Sequence, residues 1–137
     1  MGMFDTYRPT KDLQCPVCGT PLREWQGKEG PCCLFVWQAG IKHPVESEIQ
    51  AEDLEGVSLE EWNGIVGTQT LPPEFFIYSY DCPVHYPVDA YCRANEEEGW
   101  VNTVIVPYHI KTRDRHSRTF IEWLSNIRNT SLPDLTS

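Results

Sequence analysis

The chain has 137 residues, a formal net charge of −9 at pH 7 and an aromatic content of 12%. This length suits one domain with a hydrophobic core, and the composition excludes a disordered chain. The acidic balance makes nucleic acid an unfavoured partner, and no apolar run approaches the roughly 18 residues that a membrane-spanning helix requires. No signal peptide opens the chain, so we expect one cytoplasmic domain over residues 1–137 without membrane contact.

The first third of the chain alternates between turns and short strands. Residues 1–14 are expected to form an irregular lead-in. The stretch "CPVCGTPLREWQ" predicts a turn and then a short strand, and "GKEGP" at 27–31 predicts a second turn. Residues 32–40, "CCLFVWQAG", are rich in β-branched and aromatic side chains and predict a strand.

The middle of the chain is acidic. Residues 43–64 contain seven of the chain's 20 carboxylates, and Ser58 and Glu61 have the spacing of a capping box at "LEEW", which predicts a short helix. Two prolines and a glycine make 65–74 a predicted loop, and "EFFIYSYDC" at 74–82 predicts an aromatic strand.

The last third predicts a hairpin and a helix. The stretches "DAYCRA" and "WVNTVIVPYHI" flank "NEEEG", a pattern typical of two antiparallel strands with a five-residue loop. Apolar residues then recur at i, i+3, i+4 and i+7 from Phe120 to Ile127, which predicts a helix over about 117–129. The predicted fold is α+β: a mainly antiparallel β, zinc-ribbon-like domain with a short acidic insertion and a C-terminal helix.

Two short motifs point to a metal. "CPVC" at 15–18 returns as "CPVH" at 82–85. Such turns place two ligands on one ion, and thiolate and imidazole are the ligands that zinc prefers. We therefore predict that Zn²⁺ binds Cys15, Cys18, Cys82 and His85. Because the four side chains fill a tetrahedral shell, the predicted role of the ion is structural and the protein is not expected to be an enzyme.

The other cysteines leave the fourth ligand open. Cys92 is the best substitute for His85, and Cys32 and Cys33 are adjacent in a predicted strand, so at most one of them could reach the ion. A small buried hydrophobic side chain is the commoner role for such thiols.

The opening "MFDTYRP…LQCPVCGTPLREWQGKEGPC" resembles that of a group of small bacterial and phage-encoded zinc-ribbon-like proteins of unassigned function. They share the Met-Phe-Asp start, the C-P-x-C-G motif, an E-W-Q stretch and G-P-C. The resemblance covers about the first 33 residues. It implies a bound metal and carries no catalytic residue.

The acidic surface suggests a basic partner. We hypothesise a non-enzymatic inhibitor that neutralises a basic toxin or effector, as an immunity protein does, because clustered carboxylates steer such an encounter and a buried aromatic slows dissociation. The candidate contact residues are the carboxylates of the acidic stretch and one tryptophan: Glu46, Glu48, Glu52, Asp53, Glu55, Glu60, Glu61 and Trp62. An alternative is that this stretch is a solvated insertion.

A second hypothesis is a zinc-ribbon accessory factor that binds nucleic acid or a nucleic-acid-processing complex. The stretch "KTRDRHSR" at 111–118 supplies four cations, namely Lys111, Arg113, Arg115 and Arg118. The acidic remainder of the chain disfavours this hypothesis.

Overall fold

The computed structural model describes residues 4–9, 11–29, 34–47 and 56–130. The strands are β1 (Asp5–Arg8), β2 (Leu13–Gln14), β3 (Pro21–Leu22), β4 (Trp25–Gly27), β5 (Phe35–Gln38), β6 (Glu46–Ser47), β7 (Glu74–Ser79), β8 (Val88–Asn95) and β9 (Gly99–Ile105). The helices are α1 (Leu59–Val66) and α2 (Arg118–Arg128).

Among the described residues, seven strands form one sheet in the order β6-β5-β1-β4-β7-β8-β9, and β2 pairs with β3 separately. The pairing of β1 with β5 is parallel, and the other described pairings are antiparallel. The predicted α+β class, mainly antiparallel with a C-terminal helix, is therefore confirmed. No helix in the described part of the chain has both the length and the apolar surface to cross a bilayer.

The predicted hairpin is present as β8 and β9. Its loop is shorter than expected, because Asn95 and Gly99 pair within the strands and only residues 96–98 turn. The Asn95 side chain accepts hydrogen bonds from the amides of Glu97 and Glu98. Gly99 has φ +74°, and a Cβ there would lie 2.5 Å from the Ile41 carbonyl oxygen, so the tight approach of these two segments requires glycine.

Both predicted helices form, and each begins at a serine that caps it. Ser58 caps α1 by accepting from the Glu61 amide, and Ser117 caps α2 by accepting from the Phe120 amide. Phe120 is buried, and the apolar face of α2 packs with Phe76 and Tyr91 on one side of the sheet. The terminal helix thus covers β7 and β8.

The lead-in predicted to be irregular contains a central strand. β1 pairs with β4 on one side and β5 on the other, so this part of the prediction was wrong. The reason is tertiary: the fully buried Asp5 carboxylate accepts from the Phe35 amide at 3.1 Å and from Trp37 Nε1 at 2.9 Å. These partners lie about 30 residues away, beyond the reach of a local pattern.

The main core lies on the sheet face opposite α2. It is dominated by buried aromatic side chains, among them Tyr7, Trp25, Phe35, Trp37 and Trp100. Along β7 buried and half-buried residues alternate, which is the period of a strand with two different faces. The two clusters explain the five tryptophans better than a surface role does, since three of them are fully buried.

We expect Asp5→Ala to lower the free energy of unfolding by at least about 2 kcal/mol, because two buried donors lose their acceptor. Asp5→Asn keeps the shape and one acceptor oxygen, so it should cost less. Urea unfolding followed by tryptophan fluorescence measures both. The exposed Asp12→Ala is the control; an Asp5→Ala effect as small as that of Asp12→Ala would contradict the role assigned to this carboxylate.

Candidate metal centre

Two strands bring the cysteine motifs together. The first knuckle, residues 15–18, lies between β2 and β3, and the second knuckle, residues 82–85, lies between β7 and β8. β4 follows the first knuckle closely and pairs with β7, with Gln26 opposite Tyr78. The 63 residues between the knuckles therefore leave the site at β3–β4 and return to it at the end of β7.

An aspartate outside the predicted ligand set joins the two knuckles directly. Asp81 Oδ2, one residue before Cys82, accepts from the Arg23 amide at 2.6 Å and the Glu24 amide at 2.9 Å. This contact ties the start of the second knuckle to the chain that leaves the first. Sequence analysis missed it, because no local pattern distinguishes this carboxylate from the many others.

The four predicted ligands converge. The Sγ atoms of Cys15, Cys18 and Cys82 and a ring nitrogen of His85 all lie within 4.8 Å of one another. His85 Nδ1 is 3.6 Å from both Cys15 Sγ and Cys82 Sγ, and Cys18 Sγ is 3.6 Å from Cys82 Sγ. Tetrahedral ligands at zinc bond lengths have S–N edges of about 3.5 Å and S–S edges of about 3.8 Å. The side chains thus stand at the spacing that one ion requires.

The repeated Pro-Val gives both knuckles the same local geometry. In the first, the backbone amides of Cys18 and Val17 act on Cys15 Sγ. In the second, the amides of His85 and Val84 act on Cys82 Sγ, the former at 3.2 Å. Amides aimed at sulfur stabilise the thiolate form that binds metals.

The turn that follows the first knuckle requires glycine. Gly19 has φ +76°, a left-handed conformation that costs other residues about 1–2 kcal/mol. Its amide donates to the Cys15 carbonyl at 3.0 Å, which closes the loop. The glycine after "CPVC" is therefore part of the site.

The surroundings of Cys18 and Cys82 lower the pKa values of their thiols. Hydrogen bonds from the Thr20 side chain, 3.0 Å from Cys18 Sγ, and from the Thr20 backbone lower the pKa of Cys18 to about 7. Burial opposes ionisation of Cys82, but the amides and the ring of His85 outweigh it, and the pKa of that thiol lies below its ordinary value. Burial raises the pKa of Cys15, so this ligand depends most on a cation for its ionisation.

The candidate metal centre lies at one end of the sheet and is partly exposed to solvent. Cys15 and Cys82 are buried, Cys18 is exposed and His85 is half-buried. The ring of His85 meets the edge of Tyr108 at a centroid distance of 5.1 Å. One side of the site therefore belongs to the core, and the other contributes to an aromatic surface.

The remaining predicted residues lie elsewhere or outside the described part. Cys92 is fully buried beside Thr103 and is not in the cluster, and Cys32 and Cys33 lie outside the described residues. The same holds for four of the acidic candidates, namely Glu48, Glu52, Asp53 and Glu55.

The described acidic candidates are exposed carboxylates away from the metal centre. Glu46 forms an ion pair with Arg8 at 3.0 Å, and Glu60 and Glu61 lie in the first turn of α1. Trp62 is half-buried and stacks on Phe35 at a centroid distance of 5.8 Å. This tryptophan anchors α1 to the core.

Comparison of the chain with protein families, with curated proteins and with solved structures finds no match. The site geometry is therefore the basis of the functional argument.

We expect the wild-type protein to bind about one Co²⁺ per chain, with the thiolate charge-transfer absorption and the d–d bands of a tetrahedral ion. Cys18→Ser should weaken binding by more than the roughly ten- to hundredfold that loss of an outer contact costs. Cys92→Ala is the matched control, because it removes a thiol outside the cluster. Equal loss of metal in both variants would contradict the assignment of the ligands.

Proposed function

We propose that the metal is zinc and that its role is structural, in a zinc-ribbon-like arrangement of two knuckles. Three thiolates and one imidazole are a donor set typical of structural zinc sites. Cys15, Cys18, Cys82 and His85 lie close enough to supply all four ligands of a tetrahedral ion. A catalytic zinc needs an open position, so a closed donor set favours a role in folding.

We further propose that the protein acts by binding and not by catalysis. Outside the metal cluster, Cys92 is the one remaining described cysteine. Burial raises the pKa of the Cys92 thiol far above neutrality, so it is a poor nucleophile. A small domain with a closed metal site and a strongly charged surface fits a binding role.

The partner we propose is a basic protein, most simply a toxin or effector that this chain neutralises as an immunity protein does. The observation that carries this proposal is the net charge of −9 together with exposed Glu60 and Glu61 on a helix held to the core. A fixed acidic helix presents its charges in one geometry, which favours fast and selective encounter with a positive surface. The Trp62 side chain stacks on Phe35 and so holds this helix against the core.

Removal of the metal should destabilise the whole domain. Closing the 63-residue loop stabilises the fold by about 4 kcal/mol, by analogy with a disulfide across a loop of this size. We expect the melting temperature to fall by at least about 10 °C on chelation. The control is the same chelator saturated with zinc beforehand. An unchanged melting temperature in protein shown by elemental analysis to be metal-free would refute a structural role.

Charge reversal on the acidic helix should slow association with the partner. We compare Glu60→Lys and Glu61→Lys, made together, with Glu97→Lys and Glu98→Lys in the β8–β9 turn. Both variants change the net charge equally, so only position differs. Association with a basic protein recovered by affinity capture on this chain is measured at about 0.01 M and 0.1 M salt, where the Debye length falls from about 30 Å to about 10 Å.

We expect the first variant to lower the on-rate at least about tenfold at low salt, with a smaller effect at higher salt. If the turn variant has the same effect, net charge and not the α1 surface governs association. If neither variant changes rate or affinity, the acidic helix is not the contact.

A further inference from the structure

A small cleft opens beside the metal centre. It has a volume of about 180 Å³, and its lining includes Pro16 of the first knuckle, Tyr86 directly after the second, and Tyr108, Lys111 and Arg113 from the segment after β9. Sites for drug-sized ligands measure about 300–1,000 Å³, so this cleft suits one planar ring and not a larger molecule. We call it the tyrosine cleft.

The aromatic side chains around the cleft are unusually exposed. Tyr86 is 57% exposed, Tyr80 51% and Tyr108 42%. Tyr80 and Tyr86 lie 6.4 Å apart by centroid, and Tyr108 is held edge-on by His85. Most other large aromatic residues of this chain are buried in its two cores, so a surface group of three marks a place where a planar ligand could pack.

Two cations border these rings. Lys111 Nζ lies 5.0 Å from the Tyr108 centroid, and an Arg113 guanidinium nitrogen lies 3.5 Å from the Tyr80 hydroxyl. Within the described ranges, neither forms a salt bridge. The salt bridges found there use four other arginines: Arg8, Arg115, Arg118 and Arg128. Lys111 is therefore available to an external anion, and Arg113, which also attracts the Asp89 carboxylate of the same cleft, has no salt bridge that an anion would have to break.

The cleft also offers a hydrogen-bond acceptor. Asp89 lines it, and its Oδ2 accepts from the buried Thr112 hydroxyl at 2.8 Å. In the described part of the chain Oδ1 has no hydrogen bond. A carboxylate oxygen so placed can accept from the exocyclic amino group of a nucleobase.

We propose that the tyrosine cleft binds one unpaired nucleotide of a single-stranded nucleic acid, with the base against Tyr86 and Tyr108 and the neighbouring phosphates on Lys111 and Arg113. Exposed aromatic faces interleaved with cations are the features by which proteins hold single strands. In a duplex the base faces are stacked on one another and unavailable, so the geometry selects unpaired bases.

A net charge of −9 is compatible with binding of a single strand at this site. Two phosphate contacts on a single strand give a salt slope of only about −1.4, far below that of proteins that bind duplex DNA through six to ten contacts. Stacking, worth about five- to hundredfold in affinity per base, supplies the larger share and is insensitive to net charge. The −9 charge weakens binding without abolishing it.

The tyrosine cleft is a second binding site, separate from the α1 surface proposed above to contact a basic protein. α1 packs on Phe35 of β5, whereas the cleft is built at β8 and the segment that follows β9. None of the described residues that line the cleft belongs to α1 or to β5. Changes at one site should leave the other unaffected, so either proposal can fail alone.

The test uses the zinc-loaded full chain and a fluorescein-labelled oligodeoxycytidine, whose bases carry an exocyclic amino group, followed by fluorescence anisotropy from about 50 mM salt upward. Tyr86→Ala and Tyr108→Ala should each weaken binding about five- to hundredfold. Tyr86→Phe and Tyr108→Phe keep the ring and should bind within about twofold of wild type if stacking carries the contact. Zinc content and circular dichroism of each variant show that the fold is intact.

The electrostatic arm uses matched double variants. Lys111→Gln with Arg113→Gln should remove most of the salt slope, whereas Arg128→Gln with Lys42→Gln, an equal charge change at the opposite end of β7 and β8, should leave it unchanged. Lys42 lies at the Gly99 end of β8, opposite the cleft.

Three results would overturn the proposal. One is absence of oligonucleotide binding at about 50 mM salt. Another is equal affinity for duplex and single strand, or equal competition by polyglutamate, which would indicate a general anion surface. The third is binding to vesicles containing phosphatidylserine, lost in Tyr86→Ala, without oligonucleotide binding, which would assign the surface to a membrane.

Discussion

The structure depends on the convergence of four ligand atoms from two knuckles separated by 63 residues. Each knuckle is a local turn whose amides face its own first cysteine. Their meeting is not local: it needs the β4–β7 pairing and the Asp81 carboxylate that bridges to the chain after the first knuckle. A metal bound there would hold together the same elements that position its ligands, which makes folding and binding mutually dependent.

The sheet distributes the chemistry over distinct surfaces. One end carries α1 with its exposed carboxylates, stacked through Trp62 on β5. The other end carries the candidate metal centre, and around it lie the exposed tyrosines and the cations Lys111 and Arg113. A chain with a net charge of −9 can therefore present a locally cationic and aromatic surface, because total charge does not describe its distribution.

Part of the structure follows from patterns that are short in the chain. The Ser58 and Ser117 caps, the α2 periodicity and the aromatic β7 were predictable because helix capping and alternation depend on residues a few positions apart. Strand β1 was not predictable, because its buried Asp5 is stabilised by hydrogen bonds from Phe35 and Trp37, which are distant in the chain. The hairpin was predicted with too long a loop, since the pairing of Asn95 with Gly99 depends on how closely residue 41 packs there.

The sequence by itself determined which four residues form the candidate metal centre, because ligand type and spacing within "CPVC" and "CPVH" are properties of the chain alone. Only the tertiary structure decided which candidates share a surface: it left Cys92 in the core, turned Trp62 inward and placed Lys111 and Arg113 beside Tyr108 and Tyr80. The physical reason is that ligands in one turn are neighbours whatever the fold, whereas burial and the meeting of distant side chains depend on sheet order and packing.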